Sequence, residues 1–566
     1  MNGEHSQADP EHSERRGSSL QLSRQYRSKK NQPSDIVIAV VGGGLAAFVK
    51  LTKPVVLYAA SGEPRTKTKA PREFSLRPVS SIHAPPPSIE PEDITQTSTI
   101  FKSRTCLYGG PSSDQDPHLL RHLAFDSTNR FGDANWMVWR MLPRAQDPVF
   151  FTVIPNAHLD AHEDIYDTKW LDSIVSPFQD VVIDAYYRHV HPTFPILEPQ
   201  QLLKQAISEQ RVPASLLGAI YTIALPFLDN LGQFTSGKKP DVYALYFYVT
   251  TALGYETMTP SLRTVQANVI ILQTPPVIIR EPNLPGAWTR TSSLLALGQE
   301  IGLHLDPTGW NIDRQEQKSR KIAWWIIYVQ EKWLSHWLGY PSHILAHSWT
   351  VPPLAIGDFS DEKDTITFDM ISSANKFIAL TELTLILGDV LSSFYTQRPA
   401  RPNANQILLE DERRILHQLD EWKVRNRWSV TNPHKLPNEY FIVFAYSTIH
   451  LSVCRAVHAK TEFPIEATKE RAMTVFDDLI HVLSNLQPQA VDMLWLSYCK
   501  GCLTFMGNFM ITVMLSSVED RSFESGKRRL DEYMALLERI SKTFEFSKLP
   551  CQRLNLIIQR LFSSRE

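Results

Sequence analysis

The stretch Leu297–Ser342, LGQEIGLHLDPTGWNIDRQEQKSRKIAWWIIYVQEKWLSHWLGYPS, decides the fold. It reads as helix, turn, charged loop, long aromatic-rich helix and tight turn. Ile322, Ile326, Val329, Trp333 and Trp337 step by 4, 3, 4 and 4, which puts them on one helix face. Trp324, Ile327, Tyr328 and Leu334 widen that stripe beyond a surface helix, so this helix belongs inside a large domain. Its opening, Asp313–Lys321, is charged and reads as solvated. Gly339 and Pro341 mark its stop. The helix before it runs from about Pro285 to Ile301. Gly302 stands where a left-handed cap residue is expected, and Pro307 and Gly309 bar continuation. Gly298 and Gly302 lie four apart, where a neighbouring element can come close.

Outward from this stretch the pattern stays helical from about Ser173 to the end. Candidate helices on the N-terminal side are Pro177–His189, Pro213–Phe227, Val242–Thr257 and Ser261–Leu272. On the C-terminal side they are Phe368–Phe394, Gln406–Arg427, Asn438–Lys460, Thr468–Leu486, Ala490–Ser517, Gly526–Phe544 and Cys551–Phe562. Strand-like alternation is scarce and no internal repeat shows, so the expected class is all-α: a large, irregular multi-helix domain over 173–566. Residues 101–172 mix glycines, prolines and aromatics and read as a structured but irregular opening segment. Residues 1–100 read as a disordered, polar basic tail, an apolar island at Ile36–Ala60 and a Pro/Ser-rich linker.

Composition narrows the class of function. Across 566 residues, 58 basic side chains face 60 acidic ones, so overall charge gives no sign of nucleic-acid binding. The five cysteines are few and odd in number, which suits a reducing compartment. The run Ile36–Val49 is shorter than a membrane span needs and holds three consecutive glycines; no membrane partner is expected. Between Arg15 and Lys30 the tail carries basic residues and no acid. It reads either as a solvated tail or as a nuclear-import or nucleic-acid segment, with Arg24, Arg27, Lys29 and Lys30 as the weak DNA-contact candidates.

No linear motif asks for an enzyme. Gly42, Gly44 and Ala47 fit the dinucleotide-binding loop, in which glycines let backbone amides reach a pyrophosphate. Pro54 leaves too short a helix to recross a sheet, and no strand–helix alternation follows. The alternative is thus a nucleotide-cofactor enzyme using Gly42–Ala47, or a helical scaffold that binds partners only. His343 and His347 are four apart but lack the glutamate of a metalloprotease helix. His189 with His191, and His304 with Asp306, sit at helix exits and turns and read as structural. Cys499 and Cys502 form a lone C-x-x-C with no second pair for zinc and no thioredoxin-like context, so they read as core.

Several motifs in fixed order resemble the fungal-specific transcription factor domain, the helical middle region of fungal zinc-binuclear-cluster regulators. Gly302-Leu303-His304, Trp324-Trp325, Tyr328 and Gly339-Tyr340-Pro341 are similar to its central block. Glu331-Lys332 stands where the family usually has Asp and a basic residue, and Tyr340 replaces the usual Arg. Tyr187–Leu197, with His191 and Pro192, resembles the opening of that domain, and Ser261–Leu272 its "SLxTVQA" helix. Gly109–Ser113 with Leu119-Leu120 resembles a segment that precedes it. His191, Pro192, Gly302, His304, Trp324, Trp325, Glu331, Gly339 and Pro341 are thereby implied as the structural motif residues.

The resemblance implies a nuclear regulator of RNA polymerase II transcription, not an enzyme, acting through its helical domain. It implies transcription co-regulators as partners, a second subunit of the same or another kind, and DNA reached weakly or indirectly. Family members hold zinc in an N-terminal six-cysteine cluster; no cysteine precedes Cys106 here, so neither metal nor cofactor is expected in this chain. Ser23–Lys30 resembles the opening of that cluster with Ser23 and Tyr26 in the cysteine positions, and neither supplies a thiolate.

Overall fold

Helices form here where caps and buried stripes coincide. Asp241 accepts hydrogen bonds from the amides of Tyr243 and Ala244 and starts one helix. Ser261 and Thr264 close a reciprocal capping box at the next. Asp313 accepts from the Glu316 amide at 2.6 Å and starts the long Trp-rich helix. Gly302 and Gly339 end their helices with φ near 72°, a region other residues enter only at a cost.

The computed structural model describes residues 104–563 apart from 134–135, 142–147, 155–167, 176–177, 231–239, 275–285, 361–367, 397–403, 428–438, 461–465, 488–489 and 491. The chain divides into Met1–Pro85 and Pro86–Glu566, and the first unit lies outside the described residues, as do Arg24, Arg27, Lys29, Lys30 and the Gly42–Ala47 loop.

The described part opens with four strands, β1 (Thr105–Gly109), β2 (Arg130–Gly132), β3 (Met137–Met141) and β4 (Val149–Ile154). They pair antiparallel in the order β1-β4-β3-β2, with Tyr108 opposite Phe151 and Phe151 opposite Trp139. One face carries Cys106, Trp139, Met141, Phe151 and Val153 against Trp310 and Ile312. The other carries Val138 and Phe150 against Leu120. Because both faces are covered, VFFTVI is an almost unbroken apolar run and hides its period of two. The described strands of the opening segment thus form a regular antiparallel sheet.

The helices follow in order: α1 (Thr168–Val175), α2 (Gln179–Ala185, running on as a π-turn Tyr186–Val190), α3 (Gln200–Ser208), α4 (Ala214–Asn230) and α5 (Val242–Glu256). Next come α6 (Leu262–Gln273), α7 (Ala287–Glu300), α8 (Arg314–Leu338), α9 (Phe368–Phe394) and α10 (Ala404–Arg425). Last are α11 (Tyr440–Lys460), α12 (Glu466–Ser484), α13 (Cys499–Leu515), α14 (Asp520–Ser541) and α15 (Glu545–Ser563). The architecture is all-α in bulk, as the periodicity indicates.

Helix α8 is the axis. It packs on α6, α7, α9 and α13, and Trp324, Trp325, Ile326, Ile327 and Trp333 are at most 1% exposed. Among the described residues two helices, α9 and α11, are long and apolar enough to span a membrane; here both pack in the core, and 89% of the most apolar window of α11 is buried.

Two expectations need correction. The charged opening of α8 is solvated only in part: Arg314 is exposed, but Glu316, Lys318 and Arg320 are 8%, 8% and 2% exposed. The sheet and the Gly302–Ile312 turn lie over it; Arg320 pairs with Glu316 and donates to the Ile301 carbonyl, and Lys318 donates to the Ser360 carbonyl. Helix α13 begins at Cys499, not Ala490. The intervening chain is held by non-helical ties instead: the Leu494 amide to the His189 carbonyl (3.0 Å), the Ser497 amide to Gln273 (2.9 Å), and Trp495 stacked on Phe546.

Candidate functional site

The motif residues meet in three polar knots around α8. In the first, Glu331 is wholly buried. It accepts from the His343 amide at 2.6 Å and from the Ser342 hydroxyl at 3.0 Å. Lys332 donates to Ser342 and to the Ile344 carbonyl (2.8 Å) and pairs with Glu331 at 3.5 Å. Burial lowers the Lys332 pKa and Glu331 counters it. Helix α8 therefore fastens the loop that follows it through the Glu331 carboxylate. Pro341 stays exposed at the turn.

In the second knot Arg320 donates to the Ile301 carbonyl, pairs with Glu316 at 3.3 Å and lies 5.3 Å from the centre of the Trp310 ring. In the third, Arg263 of α6 forks onto Glu198 at 2.6 and 2.7 Å, and Gln266 donates to the Ile196 carbonyl at 3.0 Å. Burial opposes both charges, yet the pairing raises the Arg263 pKa and lowers that of Glu198. This knot joins the Tyr187–Leu197 motif to the Ser261–Leu272 motif. It edges a polar cavity of about 1010 Å³ that also holds Glu256, whose pKa burial raises.

The histidines are placed as structural rings. His304 packs by Tyr108 (5.2 Å) and Trp324 (6.1 Å), and desolvation, then Arg320, pushes its pKa down to about 4. His191, followed by Pro192, lies 4.8 Å from the Tyr187 ring and is pushed to about 4 by desolvation. His189 stacks on Phe227 and meets the Asp492 carbonyl at 2.5 Å. His343 meets Ser292 at 3.2 Å. Cys499 and Cys502 are buried, with burial raising both thiol pKa values, that of Cys502 to about 12. Among the described residues no group of three or more His, Cys, Asp or Glu side chains is arranged to hold a metal ion.

Beneath the Gly339–Ser342 turn lies a cavity of about 980 Å³ between the end of α8, the following loop, α9, α10 and α11. Its walls include Tyr328, Trp349, Leu385 and Ile386; its charges include Glu382, Asp389, Arg425 and Arg455. Apolar walls with a few placed polar groups are the usual make-up of a ligand site. The motifs identify only its rim. The charges come from α9, α10 and α11, more than forty residues further along the chain in the case of Glu382. The available signal was a lone charge in an apolar helix: Asp389 in LTLILGDVL and Arg455 in HLSVCRAVH.

Residues 183–424 match the profile of the fungal specific transcription factor domain. Among curated proteins, an uncharacterized transcriptional regulatory protein of Schizosaccharomyces pombe is 28% identical over 297 residues, covering 51% of this chain and 44% of its own length. The transcriptional activator protein DAL81 of Saccharomyces cerevisiae is 23% identical over 494 residues, covering 78% of this chain and 50% of its own length. Transcription factor cpaR of Aspergillus oryzae is 26% identical over 272 residues, 43% of this chain and 45% of that protein. The chain spans about half the length of these relatives. No solved structure matches it. Residues 183–424, which hold α8, the Glu331–Lys332 knot and the Arg263–Glu198 pair, are therefore a fungal specific transcription factor domain.

Proposed function

We propose that this chain regulates RNA polymerase II transcription in the nucleus, with its helical body controlling an activation or repression output through bound partners or ligands. The observation that carries the reading is the match over 183–424, which takes in the opening motif, the SLRTVQA helix and α8, all packed into one body. The transcriptional names of the relatives agree with it. Nothing in these matches favours the nucleotide-enzyme alternative.

No cysteine precedes Cys106 in this sequence, and the basic tail is its candidate for DNA contact. We assign site-specific contact to a partner subunit, and to this chain weak, sequence-nonspecific binding through Arg24, Arg27, Lys29 and Lys30. The test has two arms. Tethered to DNA through a foreign DNA-binding domain, the chain should change reporter output, and a fluorescent fusion should enter the nucleus. Purified, it should bind unrelated duplexes alike and lose affinity steeply between about 50 and 200 mM salt. Exclusion from the nucleus with a silent reporter would overturn the regulator reading in favour of a scaffold. Tight, site-specific binding with bound zinc would overturn the assignment of DNA contact.

A further inference from the structure

Three cations and three carboxylates line the cavity beneath the Gly339–Ser342 turn, and they are unevenly paired. Glu382 takes Arg425 at 3.1 Å and Asn426 at 2.9 Å. Asp389 takes Arg414 at 3.2 Å and Gln418 at 3.0 Å. Lys332 is committed to Glu331, Ser342 and the Ile344 carbonyl. Glu421 stays at the rim, more than half exposed, beside His417.

Arg455 is left. Among the described residues no carboxylate stands within ion-pair distance of it, and its one hydrogen bond runs from Nε to the Tyr395 hydroxyl at 3.2 Å. That hydroxyl donates onward to the Ser452 carbonyl at 2.9 Å. The guanidinium lies 4.3 Å from the Phe505 ring centre and 5.2 Å from that of Tyr395. Arg455 lines the cavity, and among the described residues no hydrogen bond or ion pair engages its two terminal nitrogens, while the two rings hold the guanidinium before any ligand arrives. Its charge is felt within the site: burial and then Arg455 push the neighbouring His336 pKa down to about 3. A fixed guanidinium fork matches a carboxylate in shape. One unmatched positive charge suits a monoanion better than a phosphate. The apolar wall formed by Leu385, Ile386 and Trp349 takes the rest of the molecule, and the volume suffices for a drug-sized ligand.

We infer that this cavity binds a small organic carboxylate with an apolar or aromatic body, its carboxylate on the Arg455 fork and its body on the Leu385–Trp349 wall. The binding is independent of the transcriptional reading; only its consequence, control of the regulator's output, rests on that reading.

The test is calorimetric titration of the full chain with phenylbutyrate, its neutral counterpart phenylbutanamide, and inorganic phosphate. Phenylbutyrate should bind about tenfold more tightly than the amide, the worth of one charge-assisted hydrogen-bonded contact, and phosphate should not bind. Arg455→Gln should erase the preference for acid over amide, and Arg455→Lys should retain part of it. Leu385→Trp fills the wall while leaving Arg455 in place and should abolish binding of both compounds, so the site is read even where Arg455→Gln fails to fold. Equal affinity for acid and amide, no binding of phenylbutyrate at millimolar concentration, or binding that survives Leu385→Trp overturns the inference. Phenylbutyrate binding with a silent tethered reporter removes the transcriptional reading and keeps the site. An active reporter without binding does the reverse.

Discussion

Glu331 is where one side chain matters most. It is buried beside Lys332, and it holds both the Ser342 hydroxyl and the His343 amide. Removing it leaves a buried ammonium and an amide without an acceptor, a loss costing about 3–5 kcal/mol for buried pairs. Glu331→Ala should therefore lower the unfolding free energy by that amount, read as a lower urea midpoint with an unchanged slope, while Glu331→Asp, which keeps the charge with a shorter reach, should cost less. A loss under about 1 kcal/mol in Glu331→Ala would show that the turn holds itself without the knot. This residue was legible beforehand because its position in the motif marked it. Arg320 was not. A run of charges at a helix start reads as solvated unless something covers it, and the cover here is a sheet more than 150 residues earlier in the chain.

Helices meet closely where one of them lacks a side chain. A β-carbon at Gly501 of α13 would lie 2.4 Å from Cγ of Trp337 on α8, and the indole has little room to yield. Alanine favours helix over glycine by about 1 kcal/mol, but overpacking a core costs about 1–3 kcal/mol. Gly501→Ala should thus come out neutral to destabilising in a thermal melt; a clear rise in Tm would mean that α8 and α13 are looser than the structure draws them. Gly302→Ala should be worse placed, since φ is near 72° and the Phe151 ring lies 3.0 Å from the added carbon. A loss of about 1–2 kcal/mol is expected from the backbone alone. At this scale most helices were legible, because each needs only its own 3.6-residue stripe and a cap. The sheet was not, because covering both faces removes the alternation by which strands are recognised. The start of α13 was lost to ties from His189 and Gln273, which no local pattern contains.

Across the whole molecule, burial holds several imidazoles neutral. The pKa values of His191, His304 and His450 fall to about 4, and that of His336 to about 3, chiefly by desolvation, with Arg320 near His304, Arg455 near His336, and Lys423 and Arg471 near His450. The unfolded chain takes up these protons near pH 6.5 and the folded one only near 4 or below. Between those limits the unfolded state binds more protons, so stability falls as pH falls. Each such histidine contributes on the order of 1 kcal/mol per pH unit in that window. The denaturation midpoint should hold from pH 8 to about 6.5 and then drop steadily towards pH 4; a flat profile across that window would contradict the burial of these rings. The match over 183–424 begins well after the sheet, yet Trp139, Phe151 and Val153 close over Trp310 and Ile312, and Tyr108 and Phe151 close over Gly302. The matched segment and the packed body thus have different edges. A polypeptide begun at residue 183 would carry the whole matched domain and still expose two large apolar side chains beside the charges of Arg320 and Glu316. It should aggregate where one begun at residue 104 stays dispersed, because the strands supply the apolar cover of Trp310 and Ile312.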